Sequence, residues 1–304
     1  TTGFGSASTF RYRVGAHTGG SDHHEFVDST IGVPCVMLLQ WPDLFYHSSM
    51  DTIDKVSPQS LKRTGWISTV AALTLGNAGA EDAMLLASQT CSRGMERLEK
   101  TEREAIQALY EKREDAKLKE KPDELAKALT QTASHFKNKL EHITWREMEA
   151  VRSVKRLASG TELDALIDRL VQNISGHGKQ KQATIEESLV FVAKAAGVNV
   201  PAQLEETEPE RETKKLVPKR LFKGSLSTDT FKKLLGEEEY KWYQKMNEKD
   251  PSFGEKAWEI LNYMNGERTL HEILKAVSSE YADTKAEDAL KFVRDLEKLK
   301  LIAL

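Results

Sequence analysis

Two clusters of acid/base and metal-binding side chains lie near the start of the chain, at residues 22–25 (D-H-H-E) and 46–51 (Y-H-S-S-M-D). Between them lies the short apolar run 35–40, which follows Gly-Val-Pro and does not alternate polar and apolar residues. This pattern is typical of a strand that is buried on both faces of an α/β sheet. Ligand sites of such sheets collect in loops beyond the carboxyl ends of the strands. His47 lies seven residues past Gln40, so we expect it to face such a site.

Metal binding is the chemistry that the second cluster favours. A neutral imidazole is a standard zinc ligand, which makes His47 the first candidate. Asp51 and Thr52 can hydrogen-bond nearby backbone N–H groups and so rigidify the turn that presents His47. An ordinary loop histidine is the alternative interpretation. Three aromatic residues nearby are candidate walls of a substrate pocket, or else ordinary packing residues: Trp41, Phe45 and Tyr46.

The first cluster offers a supporting carboxylate. A carboxylate beside a metal-bound imidazole fixes the tautomer of the ring and raises its basicity, and Asp22 is the candidate for this role. His23 and His24 are neighbours, and neighbours on an extended chain point to opposite sides, so at most one of them would face a metal. A polar turn is the alternative interpretation of the cluster. His17 is interpreted as a solvent-facing loop histidine.

The order of these motifs resembles a known family. S-D-H-x-x-F, then G-V-P, then Y-H-S-x-x-D-T and a helix are similar to the closing segment of the co-catalytic di-zinc aminopeptidases. That family includes bacterial leucyl aminopeptidases, glutamate carboxypeptidase and glutaminyl cyclase. The resemblance covers residues 3–79. It implies that His47 is the last protein ligand of a pair of zinc ions, that Asp22 lies near the metal centre and helps to order it, and that the substrate is a peptide.

The same resemblance implies that the other metal ligands and a catalytic glutamate pair lie upstream of this segment. Only 21 residues precede Asp22, and they contain no Glu-Glu pair. We therefore expect the chain to be the C-terminal part of a longer zinc peptidase, inactive without its N-terminal part. Two zinc ions would activate a bridging water in the whole enzyme. The alternative is a non-catalytic protein-interaction scaffold that works through the later helical parts.

The pattern along the chain predicts several parts. We expect residues 1–80 to be an α/β remnant of the zinc-peptidase sheet domain, ending in a helix after Ser57-Pro58 that packs on the sheet. Residues 81–200 are predicted to be mostly helical. Residues 201–220, which hold three prolines among many charged residues, are predicted to be a linker. Residues 221–304 are predicted to form a small domain of their own.

Apolar residues recur at helical spacing from residue 81 to 159, and a Lys-Pro-Asp break at 121–123 divides them. This pattern predicts a long antiparallel helical hairpin. Its charges of mixed sign indicate a solvated surface; binding of a protein partner, or self-association, is the alternative. Shorter helices are predicted at 160–174 and 185–196, separated by a Ser-Gly-His-Gly break.

The last part contains three predicted helices, at 253–264, 270–281 and 285–299. The strings N-G-E-R-T-L-x-E-I and V-x-x-L-x-x-L-x-L-I resemble small winged-helix modules of the peptide-chaperone type. Residues 251–304 hold eight Lys and Arg against ten Asp and Glu, which argues against binding to a phosphate backbone. The whole chain of 304 residues has a net charge of -3. It contains no apolar run of the ~20 residues that a membrane span needs.

Overall fold

The structure, a computed structural model, describes residues 12–15, 17–201, 205–281 and 283–304. The described residues are 69% helical and form one sheet of two strands. The α/β fold predicted for residues 1–80 is therefore wrong. Residues 35–40 run without regular structure and are exposed. A strand needs neighbours that pair its backbone groups, and no described strand lies beside this stretch.

Contacts divide the chain into two compact units. The described part of Thr1–Cys35 groups with Glu212–Leu304, and Val36–Arg211 forms the other unit. Residues 202–204, within the predicted linker, lie outside the described residues. We call Glu212–Leu304 the C-terminal domain. The motifs at 22–25 and 46–51 thus belong to different units.

The helix predicted after Ser57 is present, but it is not buried. Helix α1 (His23–Val27) is short, and α2 (Pro58–Asn77) follows it. The hydroxyl oxygen of Ser57 caps α2 by accepting a hydrogen bond from Ser60 N at 3.3 Å. No residue of α2 is buried, and Leu61 is 66% exposed. The prediction that α2 packs on a sheet is therefore wrong for the described chain.

Three long helices form an antiparallel bundle. They are joined by short connections, one of which contains the single-turn α4 (Ala116–Lys119). The long helices are α3 (Ala80–Glu114), α5 (Pro122–Arg152) and α6 (Thr161–Ala195). Fully buried leucines and isoleucines from all three fill the core: Leu98, Leu109, Leu129, Leu140, Ile167, Ile174 and Ile185. The predicted hairpin is confirmed. The break predicted at 175–178 is wrong, because α6 continues through it.

Two glycines let the bundle helices approach each other closely. A Cβ added at Gly178 of α6 would lie 2.2 Å from Thr144 Oγ1 and 3.0 Å from Thr144 Cβ on α5. A Cβ added at Gly94 of α3 would lie 3.0 Å from Glu147 Cβ on α5. The glycines that suggested a break are thus required by helix packing.

We expect Gly178→Ala to lower the free energy of unfolding of the bundle by about 1–3 kcal/mol, because overpacking forces helices apart. Gly176→Ala, two residues away on the same helix, is the matched control. Its added methyl group meets no atom within 4 Å. The control should stabilise the helix by about 0.5–1 kcal/mol. Urea unfolding of both variants measures the difference, and equal stabilities would contradict the close approach.

The C-terminal domain is built from short helices around its own core. The helices are α7 (Glu208–Thr213), which begins just before it, and α8 (Thr228–Leu235), α9 (Glu237–Lys249), α10 (Phe253–Tyr263), α11 (Leu270–Glu280) and α12 (Ala286–Lys298). Strands β1 (Lys219–Arg220) and β2 (Ile302–Ala303) pair antiparallel. The three predicted helices are confirmed as α10–α12. The winged-helix resemblance stays a prediction.

Local signals begin α11 where the sequence predicts it. Thr269 Oγ1 accepts a hydrogen bond from Glu272 N, and Glu272 Oε2 accepts one from Thr269 N at 2.7 Å. This reciprocal pair is a capping box. Among the described helices, none combines the length and the hydropathy that crossing a bilayer would require.

Candidate functional site

The turn that carries His47 is held by side-chain hydrogen bonds. Ser48 Oγ donates to the carbonyl oxygen of Phe45 at 2.7 Å and accepts from Met50 N at 3.2 Å. The carboxylate of Asp43 accepts from Phe45 N at 2.9 Å. These contacts fix the backbone on both sides of His47.

His47 itself has an unusual backbone conformation. Its φ is 55°, in the left-handed region that residues other than glycine seldom occupy. Its side chain is exposed, and its ring stacks on Tyr46 with centroids 3.8 Å apart. The rings of Trp41 and Tyr46 pack edge to face with their centroids 5.7 Å apart, and Lys55 Nζ lies 5.2 Å from the centre of the Phe45 ring. The structure therefore brings Trp41, Tyr46 and His47 together in one exposed aromatic group.

Many apolar side chains are exposed in the part of the chain that contains this turn, residues 36–75. Val36 is 82% exposed, Leu44 is 89% exposed, and Trp66 on α2 is 62% exposed. Further exposed apolar residues follow along α2: Ile67, Val70, Leu73 and Leu75. Soluble proteins seldom expose so much apolar surface unless another molecule covers it. This stretch, residues 36–75, is called the apolar stretch below.

The first cluster lies in a helix, not on an extended chain. Asp22 is exposed and precedes α1, so His23 and His24 are successive residues of a helical turn. His23 is buried, and its Nε2 lies 2.6 Å from the carbonyl oxygen of Thr18. His24 Nδ1 lies 3.1 Å from His17 Nε2. The expectation that the two neighbours point to opposite sides of an extended chain is therefore wrong.

Two of the three histidines pack on a tryptophan of the C-terminal domain. The ring of His17 stacks on Trp258 of α10 with centroids 4.5 Å apart, and the ring of His24 lies against the same indole, tilted by 31°, with centroids 4.2 Å apart. The centroids of His17 and His23 are 5.0 Å apart. His17 is thus partly buried, and its interpretation as a solvent-facing histidine is wrong. We call His17, His23, His24 and Trp258 the histidine latch.

Ionisation of the latch is shifted towards the neutral form. Burial, reinforced by the charges of His23 and His24, lowers the pKa of His17 to about 4. Burial also lowers the pKa of His24. On α10, burial and the charge of Glu280 raise the pKa of Glu259 to about 7. The contact therefore favours uncharged side chains on both of its sides.

A buried ion pair joins the same segment to the C-terminal domain. Asp28 is fully buried and lies 2.9 Å from Nη2 of Arg220, which is 4% exposed. Thr30 donates to Asp28 Oδ1 from both its backbone nitrogen and its hydroxyl group. Burial alone would raise the pKa of Asp28, but the hydrogen bonds from Thr30 and Arg220 hold it below its ordinary value.

The described residues include no group of three or more His, Cys, Asp and Glu side chains arranged to hold a metal ion. A zinc site takes three or four protein ligands. His47 offers one imidazole, and Asp22 belongs to the other compact unit. His47 would therefore supply one ligand of the implied zinc ion, and a complete site needs two or three more.

Comparison with known proteins gives no match: no protein-family model, no curated protein and no solved structure is similar to this chain.

The sequence identified the aromatic and imidazole groups around His47, but it missed the histidine latch. Trp258 lies far along the chain from His17, and nothing in the spacing of either residue signals the contact. The run D-H-H-E followed by hydrophobic Phe26 and Val27 was a signal for a short helix. That signal would have placed His23 and His24 on a helical surface.

Proposed function

We propose that this chain is part of a zinc-dependent metallopeptidase, an aminopeptidase that hydrolyses N-terminal peptide bonds, and that His47 is one of its zinc ligands. One observation carries the proposal: His47, within the string Y-H-S-S-M-D-T, is held at φ 55° by a hydrogen-bonded turn. Strained conformations cluster at functional sites, because surrounding contacts must be maintained to hold them.

The remaining ligands come from polypeptide outside the described residues, and we propose that this polypeptide covers the apolar stretch. Two features support this arrangement. A single imidazole cannot complete a zinc site, and the exposed side chains of Val36, Leu44 and Trp66 are suited to a protein contact.

The chain's own residues would bind and orient. Bound zinc would supply Lewis-acid chemistry and an activated water. His47 would bind through a neutral ring nitrogen, and stacking on Tyr46 restricts the rotation of its ring. Trp41, Phe45 and Tyr46 would contact an apolar side chain of the peptide and exclude water from it.

Zinc content and peptidase activity of the intact protein test the proposal. His47→Asn removes the imidazole, while asparagine tolerates the left-handed backbone of this position. We expect at least one of two zinc ions to be lost and aminopeptidase activity to fall to background. His135→Ala, a histidine substitution in the bundle, is the control and should leave both unchanged. Full zinc content and activity in His47→Asn would rule out the ligand assignment.

A protein-interaction scaffold is the second candidate, and exposed aromatic and aliphatic residues on the bundle favour it. Val190 and Phe191 of α6 are 61% and 62% exposed. The two functions separate in the same experiment: an intact protein that holds no zinc and cleaves no peptide favours the scaffold.

A further inference from the structure

The histidine latch attaches residues 17–30, the segment that contains α1, to helix α10. Its imidazole nitrogens have few hydrogen-bond acceptors to which an additional N–H group could donate. His17 Nε2 and His24 Nδ1 face each other at 3.1 Å, so one proton is shared between them. His23 Nε2 lies against the carbonyl oxygen of Thr18, which only accepts, so this nitrogen carries the proton. His23 Nδ1 is buried and has no hydrogen-bond partner among the described residues.

Protonation of the latch conflicts with this geometry. If His17 and His24 were both cationic, two N–H groups would point at each other across 3.1 Å. A cationic His23 would bury a second N–H group with no acceptor, and an unsatisfied buried donor is costly. The three rings are also close enough for their positive charges to repel one another in a partly buried site.

We propose that the histidine latch is a proton-sensitive contact: it holds residues 17–30 on the C-terminal domain while its imidazoles are neutral, and protonation of the imidazoles weakens this docking. Besides the Asp28–Arg220 ion pair, two hydrogen bonds between residues 17–30 and the C-terminal domain report the docking of this segment. Ser29 N donates to Asn262 Oδ1 at 3.1 Å, and Gly224 N donates to Thr30 Oγ1 at 2.9 Å.

The charged groups around the latch do not remove this sensitivity. Glu280 of α11 faces His17 and favours its charged form. Glu25 and Asp28 favour the charged form of His24. The pKa values of His17 and His24 are nevertheless lowered, because burial outweighs these carboxylates.

The direction in which pH changes the docking constant follows from the pKa of His17 in the docked and the released states. His17 takes up a proton near its ordinary pKa of 6.5 when released and only near 4 when docked. The released state therefore binds more protons between these pH values, so docking weakens as the pH falls. For His17 alone, the docking constant should fall about 20-fold between about pH 7 and about pH 5.

Glu259 opposes this trend. Because burial and the charge of Glu280 raise its pKa to about 7 in the docked structure, Glu259 takes up a proton at a higher pH than an ordinary carboxylate, and this uptake strengthens docking as the pH falls. Asn262 Nδ2 donates to Glu259 Oε2 at 3.3 Å while its Oδ1 accepts from Ser29 N, so Glu259 is coupled to the docked segment. The wild-type response is the difference between the two contributions, and Glu259→Gln isolates that of the histidines.

Hydrogen exchange of the full chain, with a chelator present, tests the proposal. Protection of the Ser29 and Gly224 amides is measured from about pH 7 to about pH 5 and corrected for the intrinsic rate. In Glu259→Gln we expect about a 20-fold loss of protection at both amides, while amides of α12 keep theirs. In Glu259→Gln/His17→Phe, in which a phenyl ring can still stack on Trp258, the part of the loss that comes from His17 should disappear.

Two results would overturn the proposal. One is constant protection of Ser29 and Gly224 in Glu259→Gln across this pH range. The other is a loss that persists unchanged when His17 is phenylalanine. Should the double variant fail to dock at any pH, NMR titration of the His17 ring in Glu259→Gln decides instead. Proton uptake near 6.5 with both amides still protected contradicts the proposal, and uptake that coincides with their loss supports it.

Discussion

Replacing Arg220 with methionine will weaken the docking of residues 17–30 on the C-terminal domain by about 3–5 kcal/mol, the largest effect that we expect in this unit. The substitution leaves the carboxylate of Asp28 fully buried, with Thr30 as its remaining partner. A buried charge without its counter-ion costs far more than the pair contributes when intact. Native-state hydrogen exchange of the Ser29 and Gly224 amides, which report the docking of this segment, measures the loss.

Two further variants make this result specific. Arg294→Met removes an arginine of the same domain that is 47% exposed and pairs with Glu212 and Glu297. Its loss should cost at most about 1 kcal/mol, as for other surface pairs. Adding Asp28→Asn to Arg220→Met should recover most of the stability, because the unpaired charge disappears. Equal effects of the two single arginine variants would contradict the role of burial.

In the bundle, we expect the two partners of one ion pair to respond unequally. Glu147 of α5 is 2% exposed and accepts from Arg97 Nε at 2.8 Å and from Arg146 Nη2 at 2.9 Å. Arg97→Met leaves a buried carboxylate with one partner and should cost about 3 kcal/mol. Glu147→Met leaves two arginines that are 45% and 41% exposed and stay hydrated. It should cost less than about 1 kcal/mol.

The same pair gives a pH dependence. Burial alone would raise the pKa of Glu147, but hydrogen bonds from Arg97 and Arg146 hold it below its ordinary value of 4.5. Its contribution is therefore present above pH 4.5 and is lost as the pH falls through the lower pKa of the folded state. Hydrogen exchange of α5 amides should show this acid loss in the wild type and not in Glu147→Met. A cost in Glu147→Met as large as in Arg97→Met would contradict the assignment.

Helix boundaries could be predicted because local chemistry determines them. Ser57-Pro58, Pro122 and Thr269 each begin a helix where capping and proline rules place it. The helical hairpin followed from the spacing of its apolar residues. The prediction of a break within α6 was wrong because glycine serves two purposes: it ends helices, and it allows a neighbouring helix to approach closely. Only the position of Thr144 shows which purpose Gly178 serves.

The stretch 35–40 and the histidine latch could not be predicted because both depend on distant partners. A short apolar run becomes a strand only where another strand pairs with it, and the described residues provide none there. His17 becomes a packed residue only because Trp258 lies beside it. The turn around His47 was predictable in part: its aromatic neighbours follow from the sequence, whereas its left-handed backbone does not.

The length of the bundle helices has a mechanical consequence. Helices α3 and α6 each have 35 residues, and at 1.5 Å per residue each measures about 50 Å. Buried leucines and isoleucines from end to end make the bundle stiff. Points at the opposite ends of each of these helices are therefore held about 50 Å apart.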